Sequence, residues 1–422
     1  MRQKTFWIAA SCVLAMLGLR PIFSSGAAPT SAYRIIYSFT GGADGGDPMS
    51  DLTLDAPGNL YGTTSGGGTG ACNSGCGTVF ELKRTQDGWK EQVLYSFVGG
   101  RDGAGPEAGV ILDKAGNLYG TTAGGGDNWG TVFRLAPDSH SGWTESILYT
   151  FTNGNDGANP QADLTFDAEG NLYGTTFAFD GYGSVFELIR QANGSWAEKT
   201  IHTFTGAPDG TNPSSAVILD SVGSVYGMTE FGGTERCLYV EFRPGCGVVY
   251  KLTPTSDRNW TESVIYDFVR GGGSAVNPSA GLILDNVGHL FGTTLQGGDG
   301  LGTVFGLTQS QKVWQQNVLY RFNGNPDGRL PVGRVEMNAE GALFGATIQG
   351  GKNNFGTVFE LKRSETNVWK ERVLHSFGSA PDGSYPQAGI ALDSRGHLYG
   401  TTSGGGGTAC NNGCGTVYEI TP

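Results

Sequence analysis

An aromatic-glycine pair recurs seven times along the chain, each copy carries four short strand patterns, and the two ends are out of phase by one strand. Together these observations predict an all-β fold: a seven-bladed β-propeller with four antiparallel strands per blade. The pairs are Tyr61-Gly62, Tyr119-Gly120, Tyr173-Gly174, Tyr226-Gly227, Phe291-Gly292, Phe344-Gly345 and Tyr399-Gly400. They stand 58, 54, 53, 65, 53 and 55 residues apart, which sets a unit of about 54 residues. The 72 glycines and 17 prolines would indicate low complexity if they fell without period. At fixed offsets they read instead as turn residues of a single repeat domain over 29–422.

The first strand follows a proline, as in Pro106 to Asp113, and the proline sits seven residues before the closing Asp or Asn in every copy. A proline at a strand's first position costs no ladder hydrogen bond. An Asp-x-x-Gly hairpin leads into the second strand, as at Gly116 to Thr122. The third strand reads Gly-Thr-Val-Phe-Glu-Leu, as at Gly77 to Leu82, and the fourth runs from Trp89 to Phe97. Unbroken alternation in the fourth strand predicts that Trp89, Glu91, Val93, Tyr95 and Phe97 share one face. Trp89, Trp143, Trp196, Trp260, Trp314 and Trp369 recur once per blade, which marks packing rather than a sugar-stacking row.

Residues 33–39 read as a fourth strand with no blade before them, and Gly415 to Ile420 as a third strand with no fourth after it. The first is therefore expected to complete the last blade and close the ring, covering an open strand edge. Ahead of it, Arg2 and Lys4 precede an apolar run from Phe6 to Leu19, and Ser25-Gly26-Ala27-Ala28 offers small residues for cleavage. This predicts an export signal over 1–28. The run is shorter than the ~20 residues a membrane-spanning helix needs. It also continues past Cys12, where a lipoprotein signal would end it.

Loss of the signal removes Arg2, Lys4 and Arg20 and moves the formal charge from -12 to -15. So acidic a chain repels phosphate backbones, which excludes nucleic acid as a partner. Cys12 leaves with the signal, and six cysteines remain in three near pairs: Cys72/Cys76, Cys237/Cys246 and Cys410/Cys414. An even count after export predicts disulfides, with zinc the rival reading. Pairing within each loop is the simplest connectivity, and a staple between the first and last copies is the alternative.

Two loop sets meet on one face of such a propeller. The loop from strand four to strand one reads Asp-Gly-x-x-Pro in six copies, through Asp44, Asp102, Asp156, Asp209, Asp327 and Asp382. The remaining copy has Ser274-Ala275 there. These aspartates are candidate ligands for Ca2+, the one cofactor the sequence brings into view, and otherwise serve as Asx-type turns. The loop from strand two to strand three varies most and carries Trp129, then Phe177, Phe179 and Tyr182, then Phe231, Tyr239 and Phe242, then Leu301, then Phe355. Variable aromatic loops on a rigid scaffold are candidate ligand-binding residues. The longest, Glu230 to Gly247, also carries Arg236 and Arg243. On the first strands Asp51, Asp163, Arg334 and Glu336 interrupt an apolar pattern and are expected to line the central channel. No catalytic signature occurs: no Gly-x-Ser-x-Gly, no His-Glu-x-x-His, no phosphate loop and no dinucleotide fingerprint.

The Leu-Tyr-Gly-Thr-Thr, Gly-Thr-Val-Phe-Glu-Leu and Val-Leu-Tyr-Ser-Phe segments resemble the GloVer tandem repeat of bacterial exported proteins, the choice-of-anchor tandem repeat family. The resemblance spans 33–421. It implies a bacterial extracytoplasmic protein and transfers no catalytic residue. A C-terminal anchor is common in that family, whereas this chain ends at Pro422 directly after its last strand, so a secreted monomer is expected. The function expected is binding or scaffolding, with a polysaccharide or an extracellular protein as partner. The alternatives are a hydrolase or lyase with an acidic or cation-assisted site at the channel mouth, and a purely structural surface protein.

Overall fold

The computed structural model describes residues 31–140, 142–177, 181–235, 237, 245–257, 259–271, 274–298, 300–407, 410 and 412–422. The predicted export signal lies outside them. Seven four-stranded antiparallel sheets follow one another. In blade 1 the strands are Thr53–Leu54, Leu60–Thr64, Thr78–Thr85 and Gly88–Ser96, in that order from the inside out. Blade 5 gains an extra short strand, Ala275–Pro278, against its second strand. Blade 7 is assembled from both ends of the chain. Ala391–Leu392, Leu398–Thr402 and Thr416–Thr421 supply three strands, and Ala32–Ser38 pairs antiparallel with the last of them. The expected ring closure is therefore present, with Tyr33 opposite Ile420 and Tyr37 opposite Val417.

Two expectations about strands need correction. The first strand forms only a two-residue ladder with the second in blade 1, Thr53–Leu54, although the sequence pattern runs from the proline. Upstream the inner backbone turns to the neighbouring blade: Thr63 Oγ1 donates to the Ala108 carbonyl at 2.7 Å. The unbroken alternation of the fourth strand also fails. Val93 pairs with Phe80 but Tyr95 pairs with Val79, so the register shifts at a β-bulge. The extra residue puts Tyr95 on the face opposite Glu91 and Val93. The same shift occurs in all seven blades.

The core lies between blades. At each junction a phenylalanine just past the outer strand meets an aromatic ring of the next blade's third strand edge to face. The seven pairs run from Phe39–Phe80 to Phe377–Tyr418, with centroids 5.1 to 5.3 Å apart. Above them, the glycine that opens each third strand receives the next blade's proline. A Cβ on Gly130 would lie 2.6 Å from Pro160 Cδ, and Gly77, Gly183, Gly247, Gly302, Gly356 and Gly415 make the same approach. The residue before each proline has positive φ, between 52° and 60°, at Asp47, Gly105, Asn159, Asn212, Asn277, Leu330 and Tyr385. That conformation aims its N–H at a carbonyl of the preceding blade, as from Asn159 to Trp129 at 2.8 Å. The tryptophans pack across junctions as expected, with Trp89 against Tyr399 at 5.8 Å.

In five blades the third-strand ring is phenylalanine, lying over the second-strand glycine. In blades 4 and 7 it is Tyr250 and Tyr418, whose hydroxyls are buried without a hydrogen-bond partner. Leaving such a group unsatisfied costs stability. Tyr418→Phe should therefore raise stability to denaturant by about 1 kcal/mol, measured as an equilibrium unfolding curve. Deleting residues 31–40 should do the opposite. Loss of the closing strand and of Phe39 should lower the thermal midpoint by about 10 °C or more, and an unchanged midpoint would contradict closure by this strand.

Candidate functional site

Each inner strand enters from the loop face at its proline, and the residues one and three places later point to the ring axis. The first of these rings is Met49, Glu107, Gln161, Ser214, Ser279, Val332 and Gln387. The second is Asp51, Gly109, Asp163, Ala216, Gly281, Arg334 and Gly389. Apart from Gly109 and Gly389, these residues line an axial cavity of about 200 Å³. The repeat sets a small residue at the second level in four blades, and three blades replace it with a long charged one. The small residues make that possible. A Cβ on Gly389 would stand 3.0 Å from both Asp51 carboxylate oxygens, and one on Gly109 would stand 3.2 Å from Asp163 Oδ1. Instead Gly389 N donates to Asp51 Oδ1 at 2.5 Å and Gly109 N to Asp163 Oδ1 at 2.6 Å.

Arg334 Nε stands 4.0 Å from Asp51 Oδ2, with the arginine side chain 37% exposed. Among the described residues Asp163 stands in no ion pair within salt-bridge distance, and Arg334 acts on it from farther off. Burial first, then the charge of Asp51, push its carboxyl up to about 7, against the pull of Arg334 and the Gly109 N–H. Burial also raises Glu107 at the mouth. Two residues beyond Arg334, Glu336 is raised by burial while Arg334 opposes the shift. Asp51, Asp163 and Arg334 thus line the axial cavity as the channel reading placed them, Glu336 interacts with Arg334 and Asp51 without lining it, and Glu107 is the member that sequence reasoning passed over.

The rim aspartates sit where the spacing put them, and each closes its own loop. Asp156 accepts from Tyr149 Oη at 3.0 Å, Thr152 N at 2.8 Å, Thr152 Oγ1 at 2.7 Å and Gly154 N at 3.0 Å. Asp44, Asp102 and Asp327 receive the matching tyrosine, from Tyr37, Tyr95 and Tyr320. At Asp209 and Asp382 the donor is His202 at 3.0 Å or His375 at 3.3 Å, which explains the two histidines that replace the strand tyrosine. Among the described residues, no three His, Cys, Asp or Glu side chains stand together as a metal-holding group.

Each rim aspartate has a second neighbour that the sequence alone did not pair with it. Glu91 of the next blade's outer strand lies beside Asp44, Glu145 beside Asp102, Glu198 beside Asp156, Glu262 beside Asp209 and Glu371 beside Asp327. Asp382, in the loop that leads into blade 7, meets Tyr33 of the closing strand instead. Where the aspartate is absent, at Ser274, the partner position holds Gln316 rather than glutamate. The carboxyl pair thus recurs at five of the seven junctions, with Asp382 paired to Tyr33 and Ser274 to Gln316 at the other two. Burial, then the facing aspartate, raises Glu91, Glu145 and Glu371 to about 7. One oxygen of each is buried without a hydrogen-bond partner, which further favours the neutral acid.

The predicted loop aromatics divide by exposure. Trp129 packs on the core of its blade junction, and Phe355 packs on Tyr385 at 5.5 Å. Phe177, Phe231 and Leu301 are half-buried. Tyr182 is 49% exposed. Its ring lies against Gly206, where a Cβ would stand 3.2 Å away, and borders a groove of about 420 Å³ lined also by Asn153, Asn155, Thr200 and Thr203. Phe179, Arg236, Tyr239, Phe242 and Arg243 lie outside the described residues. All three disulfides form within their loops: Cys72–Cys76, Cys237–Cys246 and Cys410–Cys414. The last packs on Gly41, so it braces the exit of the closing strand.

Sevenfold repetition, a ring closed by the chain's own N-terminal strand and a charged axial cavity define a repeat propeller. The chain belongs to the Gloeobacter/Verrucomicrobia repeat family, whose model matches residues 22–240 and 238–422. No curated protein matches it. Among solved structures it is similar to the Pseudomonas aeruginosa periplasmic gluconolactonase PpgL, at 15% identity and a TM-score of 0.52, over 86% of this chain and 99% of that one. It is also similar to a putative oxidoreductase (glucose dehydrogenase) from Thermus thermophilus, at 14% identity and a TM-score of 0.44, over 93% and 100%. The likeness is one of fold.

The glutamate–aspartate junctions dictate a pH response. The folded chain holds protons on Glu91, Glu145 and Glu371 up to about 7, whereas the unfolded chain releases them near 4.5. Their contribution is present below the lower value and is lost as pH rises through the upper one. The triple variant Glu91→Gln, Glu145→Gln, Glu371→Gln should therefore gain thermal stability over the parent as pH rises from about 5 to about 8, read from paired melting curves.

Proposed function

We propose that this protein is an exported, non-catalytic binding module that takes a polysaccharide on its loop face, in the groove between blades 2 and 3. Tyr182 carries this reading. It is the predicted loop aromatic, among the described residues, that leaves its ring exposed instead of turning it to the core. A flat apolar ring beside amide and hydroxyl groups suits a sugar, which offers an apolar face and a rim of hydroxyls. Asn153, Asn155, Thr200 and Thr203 supply those groups. Export is supported by the N-terminal apolar segment and by three disulfides, which persist in oxidising compartments. No helix among the described residues is long and apolar enough to cross a membrane.

The test is affinity electrophoresis of the purified protein on a panel of soluble polysaccharides. Retardation by at least one is expected, weakened about tenfold or more by Tyr182→Ala, the usual loss on truncating an anchoring aromatic. Trp129→Ala, at a packed position, should lower the melting temperature instead. Equal retardation of parent and Tyr182→Ala, or none on any polysaccharide, would refute the assignment.

A further inference from the structure

The axial cavity is separate from the Tyr182 groove and carries its own chemistry. At its second level one charged pair is internal: Arg334 Nε faces Asp51 Oδ2 at 4.0 Å. Asp163 draws on the same guanidinium, so two carboxylates share one cation, and Glu107 adds a third carboxylate at the mouth. Asp163 uses Oδ1 on the Gly109 N–H, and its second oxygen makes no hydrogen bond to a described residue. Gln161, Gln387, Ser214 and Ser279 complete a polar wall. Gathering more carboxylates than cations in one cavity is costly, so a sequence that adds Asp163 to an existing ion pair leaves room for a positive partner from outside.

The class of that partner follows by exclusion. An anion meets three carboxylates against one guanidinium. A neutral sugar leaves the excess of carboxylates over the one guanidinium uncompensated. A divalent metal wants several oxygen ligands gathered on one point, and no such group is present among the described residues. A primary ammonium brings one positive charge and three N–H donors, and it tolerates carboxylates spread around a ring. We infer that the axial cavity is a second binding site, for a small primary ammonium compound held by Asp163 and Asp51. The cavity's size, about 200 Å³, admits a molecule of a few heavy atoms and no polymer.

The response to pH is set by Asp51, Arg334 and the Gly109 N–H, which act on Asp163 directly, with Glu107 lining the same cavity and Glu336 acting on Arg334 and Asp51. Because burial and Asp51 hold Asp163 near 7, the acceptor is more fully ionised at pH 8 than at pH 6.

Isothermal titration of the intact protein with 1,4-diaminobutane, doubly charged at both pH values, tests the assignment. Heat of binding is expected for the diamine and not for 1,4-butanediol, its neutral counterpart. Affinity should be several-fold higher at pH 8, should fall about tenfold or more in Asp163→Asn, and should survive Tyr182→Ala. Asp163→Ser, which trims the side chain toward the small residues of the other blades, serves if the amide variant fails to fold. No binding of the diamine, or equal binding by parent and both Asp163 variants, overturns the inference. Calcium chloride binding with the same Asp163 dependence would overturn it in favour of a metal. Loss of polysaccharide binding in Tyr182→Ala with diamine binding intact would separate the two sites.

Discussion

The contact on which everything else rests is the blade junction, where the edge of one aromatic ring meets the face of the next and a proline ring settles on a glycine. Both halves are steric. The proline at the head of each inner strand reaches the preceding blade because the third-strand glycine has no Cβ in its way. The positive φ just before it points an N–H back across the same junction. Repeated seven times, this contact carries the chain around the axis. The seventh junction exists because Ala32–Ser38 and Phe39 supply the missing strand and ring. A blade cannot bury its own apolar faces, so stability belongs to the closed ring rather than to any single repeat.

Against that regular frame, departures from the repeat carry the information about function. The seven axial positions of the second ring are small by default, and Asp51, Asp163 and Arg334 are the exceptions. The residues before the third-strand glycines are mostly inward-packed, as cysteine, tryptophan, leucine or phenylalanine, and Tyr182 is the exception that stays exposed. The rim aspartates behave the other way. They are regular, each satisfied by its own loop and faced by a partner of the next blade, and their regularity marks them as parts of the junction. The junction that lacks the aspartate also lacks the glutamate, with Ser274 and Gln316 in their places.

Much of this was legible in the residues themselves. Strand count, blade count and the closing strand follow from spacing, because a repeat copies its turn chemistry at fixed offsets, whereas the choice between pairing within each cysteine loop and a staple between the first and last copies was settled by the structure. The bulge in each outer strand was not legible, since an inserted residue leaves no mark in an alternating pattern until its partner strand is known. Nor was the glutamate opposite each aspartate, 47 residues on from Asp44 in the case of Glu91, because the two share a junction and not a strand.

The sequence by itself determined the architecture and the positions available for function: a ring, an axis and a variable loop face. Tertiary structure decided which of those positions meet. Asp51, Asp163 and Arg334 lie on blades 1, 3 and 6, far apart along the chain, and converge only because ring closure brings seven inner strands to one axis. It likewise decided that Trp129 and Phe355 turn to the core while Tyr182 faces solvent. The reason is common to both. Local pattern encodes which face of a strand a residue takes, whereas its neighbours, burial and charge are set by the blades packed on either side.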